Sequence, residues 1–133
     1  MDTTSIQLPD SQVSAITRTS TSLRVSFSRA IIIKTMTGSV ERTLWWQSGD
    51  LVLDDPEVES TLPEGQLTCA GGDIDDNIYT YRDIIPLPLE SRGAIRCELH
   101  WREDAPPLMV SAGAIRLEMA GTPKYQQHLR DQA

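Results

Sequence analysis

Between Gly93 and Gly121 the sequence alternates apolar and polar residues with a period of two, and this alternation limits the fold more than any other feature. Ile95, Cys97, Leu99 and Trp101 fall on one side, with Arg96, Glu98, His100 and Arg102 on the other. After a polar turn containing Pro106 and Pro107, Ile115, Leu117 and Met119 repeat the pattern against Arg116 and Glu118. Successive side chains of a strand point to opposite faces, so each run predicts a strand with one buried and one wet side. Two such runs joined by a turn predict an antiparallel pair. The pattern specifies architecture and carries no chemistry.

Shorter alternating runs recur upstream. Leu23, Val25 and Phe27 predict a strand that runs into the continuous apolar stretch at residues 30–33. There, either both faces become covered or a bulge shifts the register. Residues 40–47 predict another strand, with Trp45 and Trp46 on opposite sides: one in the core, the other on a second layer or the surface. Thr37-Gly38-Ser39, Ser48-Gly49-Asp50 and Gly71-Gly72 read as turns or bends, because glycine reaches backbone angles closed to other residues. Residues 12–17 read as a short strand or a single capped helical turn. Pro86 and Pro88 lack amide donors, which places IIPLPLE at an edge or in a crossover. No window of 18 residues keeps helical spacing.

The expected fold is therefore all-β: an antiparallel sandwich or partly closed barrel of seven to nine short strands with little helix. At 133 residues, one domain spanning 1–133 is expected, with residues 1–10 and 122–133 as loose or peripheral ends. The start, MDTTSIQLPD, has neither a basic cluster nor an apolar block. The longest apolar run is far short of the ~20 residues that cross a bilayer. These features predict a cytoplasmic protein without a membrane partner. Cys69 and Cys97, both on inward phases, are expected to be buried free thiols.

The net charge of -7 is uneven. Residues 41–92 hold twelve acidic and three basic side chains, whereas residues 93–133 hold five of each. An acidic field of this kind repels phosphate backbones and argues against nucleic acid. It suits a basic protein partner, or solubility alone. Seven loop acids are candidates for that surface: Asp54, Asp55, Glu57, Glu59, Asp73, Asp75 and Asp76.

The densest polar motif is Asp73-Ile74-Asp75-Asp76-Asn77, followed by Tyr79, Tyr81 and Arg82. Its alternate oxygens imitate the opening of an EF-hand loop. The sixth position is Ile78 where glycine is needed, and the twelfth is Ile84 where a bidentate glutamate is needed. An acidic turn bonded to local amides is the expectation, with no metal and no cofactor. Tyr79, Tyr81 and Arg82 add residue types favoured at interface hot spots. The two tyrosines would otherwise pack over the core edge and bond through their hydroxyls. The candidate binding set is therefore Asp73, Asp75, Asp76, Asn77, Tyr79, Tyr81 and Arg82.

Catalytic classes find little support. There is no G-x-S-x-G elbow, P-loop or dinucleotide fingerprint. Cys97 and His100 differ in parity along one strand, so they face opposite ways. His100 reads as solvated. The function expected from sequence is a non-enzymatic binding or interaction protein with an acidic recognition surface. Two alternatives stand beside it. One is a small-ligand binder or carboxylate-using enzyme in an open barrel; the other is a homo-oligomer formed through a strand edge or a tryptophan face.

Overall fold

The computed structural model describes residues 3–36, 38 and 41–130. Nine strands account for most of them: β1 Thr3–Arg18, β2 Ser22–Thr35, β3 Glu41–Asp54, β4 Glu57–Val58, β5 Leu67–Asp76, β6 Tyr79–Arg82, β7 Ile84–Pro86, β8 Glu90–Trp101 and β9 Leu108–Arg130. No helix occurs among the described residues. Every pairing is antiparallel. The all-β expectation holds, but the strands are not uniformly short. β1, β2, β3 and β9 contain 16, 14, 14 and 23 residues, against a mean of about five to six.

The sheet follows the order β6-β5-β8-β9-β3-β2-β1-β7, and a further β1–β5 pairing bends it into a partly closed barrel. That closure rests on two residue pairs, Gln12↔Thr68 and Val13↔Leu67. Above them, β6 lies on β5 and β7 lies on the N-terminal half of β1. Asp83 sits between β6 and β7 and holds the seam. Its amide donates to the Gly72 carbonyl at 2.8 Å, and its carbonyl accepts from the Leu8 amide at 2.7 Å. Its carboxylate Oδ1 also accepts from the Gly72 amide at 3.0 Å. Asp83 adopts φ +64, a left-handed conformation that Asp tolerates better than most residues.

Inward phases of the strands build one apolar cluster. Ile6, Leu8, Val25, Ile32, Leu51, Leu53, Ile74, Leu99, Leu108 and Ile115 are buried in it. Ile95, Cys97, Leu99 and Trp101 are all buried, and Leu117 and Met119 pack partly against the cluster, as the alternation predicts. The apolar run of β2 realises both expectations at once. The β2–β3 register shifts between Phe27 and Ala30, and Ile31 and Ile33 are buried on the face opposite Ala30 and Ile32. IIPLPLE is an edge strand and then a crossover. Ile85 pairs with Ile6, the chain passes a cis Leu87–Pro88 peptide, and Leu89 is buried in the cluster.

Five local expectations are corrected. Residues 3–10 are not a loose lead-in but the start of β1, with Ile6 and Leu8 fully buried. The helical turn considered at 12–17 is the continuation of that strand. Ser48-Gly49-Asp50 is not a turn. Gly49 lies inside β3 between Phe27 and Met119, where a Cβ would meet the Met119 sulfur at 2.7 Å. Gly71-Gly72 is not a bend either. Both are interior to β5, beside a register shift against β8, and a Cβ on Gly72 would collide with the Glu98 carbonyl. Space, not turning, requires glycine at Gly49 and Gly72. Finally, residues 122–130 are not a tail but the end of β9, paired with β3. Of the expected turn at 37–39, Gly38 is described with φ +76, while Thr37 and Ser39 lie outside the described residues, as does Val40.

Thr3–Gln7, Ala30–Thr35, Glu41–Gln47 and Lys124–Arg130 pair with one another as a four-stranded extension of the barrel wall. We call it the arm.

Candidate functional site

The acidic motif forms the β5–β6 hairpin. Asp76 and Tyr79 are its last pair, so Asn77 and Ile78 make a two-residue turn, with Asn77 at φ +57. Hairpin turns of this length demand positive φ, which asparagine accepts. Asn77 also latches the turn to the barrel. Its side-chain amide donates to the Arg92 carbonyl at 2.9 Å, and its Oδ1 accepts from the Ala94 amide at 3.0 Å. Gly93, at φ +127, leaves room for that amide.

Each acid of the motif has a local partner. Asp73 takes a two-pronged contact from Arg82, at 3.0 Å from Nε and 3.3 Å from Nη2. Asp75 accepts from the Thr80 hydroxyl at 2.7 Å. Asp76 accepts from Ser91 at 2.5 Å and from the Asn77 side chain at 3.0 Å. The turn is acidic as expected, but its Asp side chains bond neighbouring side chains rather than local backbone amides, and only Asn77 bonds backbone, on β8. Among the described residues no three His, Cys, Asp or Glu side chains gather as metal ligands would. The tyrosines diverge. Tyr81 packs partly against the core, whereas Tyr79 is 63% exposed beside Ile78, which is 90% exposed. The structure thus brings Asp73, Asp75, Asp76, Asn77, Tyr79, Tyr81 and Arg82 onto one hairpin, and its apolar tip faces solvent. The outer side of β6 pairs with no described strand.

The other candidate acids are dispersed. Asp54 pairs with Arg116 and Glu59 with Arg96, while Asp50 and Glu118 share Arg24. Glu118 also meets Arg116 at 3.0 Å. The Arg116 and Arg24 guanidiniums hold the Glu118 carboxyl below its ordinary range. Val52, between Arg24 and Arg116 in the register, is fully buried outside the core cluster. A hollow of about 480 Å³ at the foot of the β1–β5 seam is lined by Gln12, Ser28, Thr68 and Glu103 among others. Glu103, its one acid, is committed: it accepts from the Thr68 amide at 2.7 Å, which lowers its pKa. Two convergent acids of perturbed pKa, which a carboxylate enzyme would want here, are not present in this hollow.

The thiols and His100 are placed as expected, whereas His128, expected in a loose tail, lies in β9 with its Nδ1 3.5 Å from Glu41. Cys69 and Cys97 are free and buried, and desolvation pushes their thiols up to about 11 and about 12. His100 is on the wet face, 3.9 Å from Glu98.

A second surface, on the arm, was only half legible. Trp45 and Trp46 do face opposite ways, but neither is fully buried. On one face Trp45 meets Tyr125 edge-on at 5.4 Å, and Lys34 Nζ stands 4.3 Å over the Trp45 ring. On the other, Arg29 lies 3.7 Å from the Trp46 ring centre, in a groove of about 320 Å³ shared with Gln47, Thr122 and Lys124. Arg29, Lys34 and Lys124 form no ion pair with a described carboxylate. The β9 edge is open as well. β8 covers it only through Arg116, and Leu117 donates to the Leu89 carbonyl. Beyond that, residues 118–130 pair only with β3, leaving roughly 40 Å of edge at strand rise. The sequence signal was the Trp45-Trp46 dipeptide. The 122–130 strand gave none, because its few apolar residues show no alternation. No helix among the described residues is long and apolar enough to cross a membrane. Compared with known proteins, the chain matches no protein-family model, no curated protein and no solved structure.

Proposed function

We propose that this chain is a non-enzymatic cytoplasmic interaction protein whose recognition surface is the acidic β5–β6 hairpin and whose partner is a basic protein. One observation carries the reading. Ile78 and Tyr79 stand in solvent at the tip of a hairpin that the Asn77 latch keeps rigid, ringed by Asp73, Asp75 and Asp76 beside an unpaired strand edge. Exposed apolar side chains inside a polar rim are the anatomy of a contact site. The surrounding carboxylates would raise the encounter rate with a cationic surface and reject acidic competitors. Because the acids already bond within the hairpin, binding costs little ordering, and the apolar tip supplies the burial. Cytoplasmic placement is supported by the two buried, unpaired thiols.

The test is capture from native lysate by immobilised wild type and by Ile78→Ser with Tyr79→Ser, each at low and high salt. Loss of a captured basic protein in the variant, and weaker capture by wild type at high salt, are expected. Identical captured sets in all four arms would remove the hairpin as a binding site.

A further inference from the structure

Among the described residues the large exposed apolar side chains number five: Met36, Ile78, Tyr79, Ile84 and Tyr125. They fall on two places. Ile78, Tyr79 and Ile84 belong to the acidic β6–β7 region, Tyr125 belongs to the arm, and Met36 directly follows the arm's second strand. The two places are opposite in charge. The hairpin presents Asp73, Asp75 and Asp76, with Arg82 already engaged by Asp73. The arm presents Lys34 and Lys124, with Arg29 just before its second strand; these lean on tryptophan rings or line the groove and form no ion pair with a described carboxylate. Each place also borders a strand edge that pairs with nothing described: Tyr79–Arg82 of β6, and residues 118–130 of β9.

From this complementarity we infer that the basic partner of the hairpin is the arm of a second copy of this chain, so that molecules assemble head to tail. The inference rests on the proposed function, since it names the partner of that same hairpin. The apolar tip of one molecule covers the Tyr125 and Trp45 neighbourhood of the next. The two open edges run alongside each other, so that its acids approach Lys34 on the Trp45 face and Lys124 and Arg29 on the Trp46 face. An unpaired edge is a template for pairing with another chain, and opposite fields on the two surfaces set the polarity of the contact. The contact joins different patches, so it is heterologous. It closes into a ring or extends as a filament according to the rotation between neighbours.

Sedimentation velocity of the purified full chain tests this over a hundredfold range of concentration, at low and high salt. Wild type should pass from monomer to dimer and larger species, with assembly weakened at least tenfold by high salt. Lys124→Glu alters the arm, and Ile78→Ser with Tyr79→Ser alters the tip. All three positions are exposed, so both proteins should melt like wild type. Each alone should stay monomeric. An equimolar mixture should form dimers and nothing larger, because one good tip meets one good arm and the remaining surfaces are spoiled.

A wild type that remains monomeric throughout overturns the inference and leaves the hairpin's binding of another basic protein to the capture experiment. Dimers that survive the tip change but not Lys124→Glu indicate arm-to-arm pairing and also overturn it. So does a mixture that fails to reassociate.

Discussion

Asp83 is the residue through which the barrel's weakest joint can be examined. The β1–β5 closure has only two direct residue pairs, and Asp83 adds three hydrogen bonds across the same gap. Two use its backbone and survive substitution. The third, from the buried Gly72 amide to Oδ1 at 3.0 Å, does not. A hydrogen bond to a charged acceptor contributes about 1.5–3 kcal/mol. The half-exposed site argues for the lower end of that range. The φ of +64 adds a second effect, because a left-handed backbone costs an ordinary L-residue about 1–2 kcal/mol. Asp83→Ala incurs both and should lower stability by about 2–4 kcal/mol. Asp83→Gly loses the bond but accepts the conformation, and should cost about 2–2.5 kcal/mol once its greater unfolded freedom is included. Asp83→Asn retains an oxygen acceptor and left-handed tolerance, and should stay within about 1 kcal/mol. Urea unfolding followed by tryptophan fluorescence reads all three, with unchanged slopes as the check that only stability moved. Midpoints for the alanine and glycine variants that match wild type would refute the seam argument. An asparagine variant as weak as alanine would show that charge, not geometry, holds the joint.

Two further outcomes follow from the titrating groups. Burial raises Cys69 to about 11 and Cys97 to about 12, so a thiol reagent at pH 8 should modify neither in the native protein and both in urea; rapid native labelling would contradict their placement. Glu118 is held below its ordinary pKa by Arg116 and Arg24. Its contribution is therefore present above the unfolded value near 4.5 and lost as pH falls through the folded one, so Glu118→Gln should flatten the decline of melting temperature below pH 4.5 and an unchanged profile would dismiss the pairing.

What the sequence disclosed was local, and what it hid was long-range. The β8–β9 alternation is visible because each inward residue meets the same core throughout, and the structure buries Ile95, Cys97, Leu99 and Trp101 together. The acidic hairpin is visible because Asp73, Asp75 and Asp76 each bond a side chain within nine residues along the chain. The misread glycines have a different cause. Gly49 and Gly72 are small because Met119 and the Glu98 carbonyl occupy the space a side chain would need, and those neighbours lie 70 and 26 positions along the chain. No local pattern separates a glycine that turns from one that yields space. Barrel closure is similarly hidden, since Gln12 and Thr68 carry no mark of their pairing.

The arm shows where the requirements of folding stop explaining the sequence. Stability alone is served by strands that end with the core, yet β9 runs fourteen residues past its last pairing with β8, from Leu117 to Arg130. An edge of that length invites indiscriminate pairing, and natural sheets blunt such edges with proline, lysine and irregular register. β9 carries all three, close together: Pro123, Lys124 and a register shift against Trp46 and Ser48, with Gly121 at φ +69 beside them. The interruption divides the open edge into two short segments, and neither offers a long flat ladder to an arbitrary strand. An edge protected in this way still accepts a short hairpin such as the four-residue β6. Length without protection would point to aggregation, and protection without length would point to an inert boundary. Their combination, beside half-exposed tryptophans and unpaired cations, is what a selective contact surface requires.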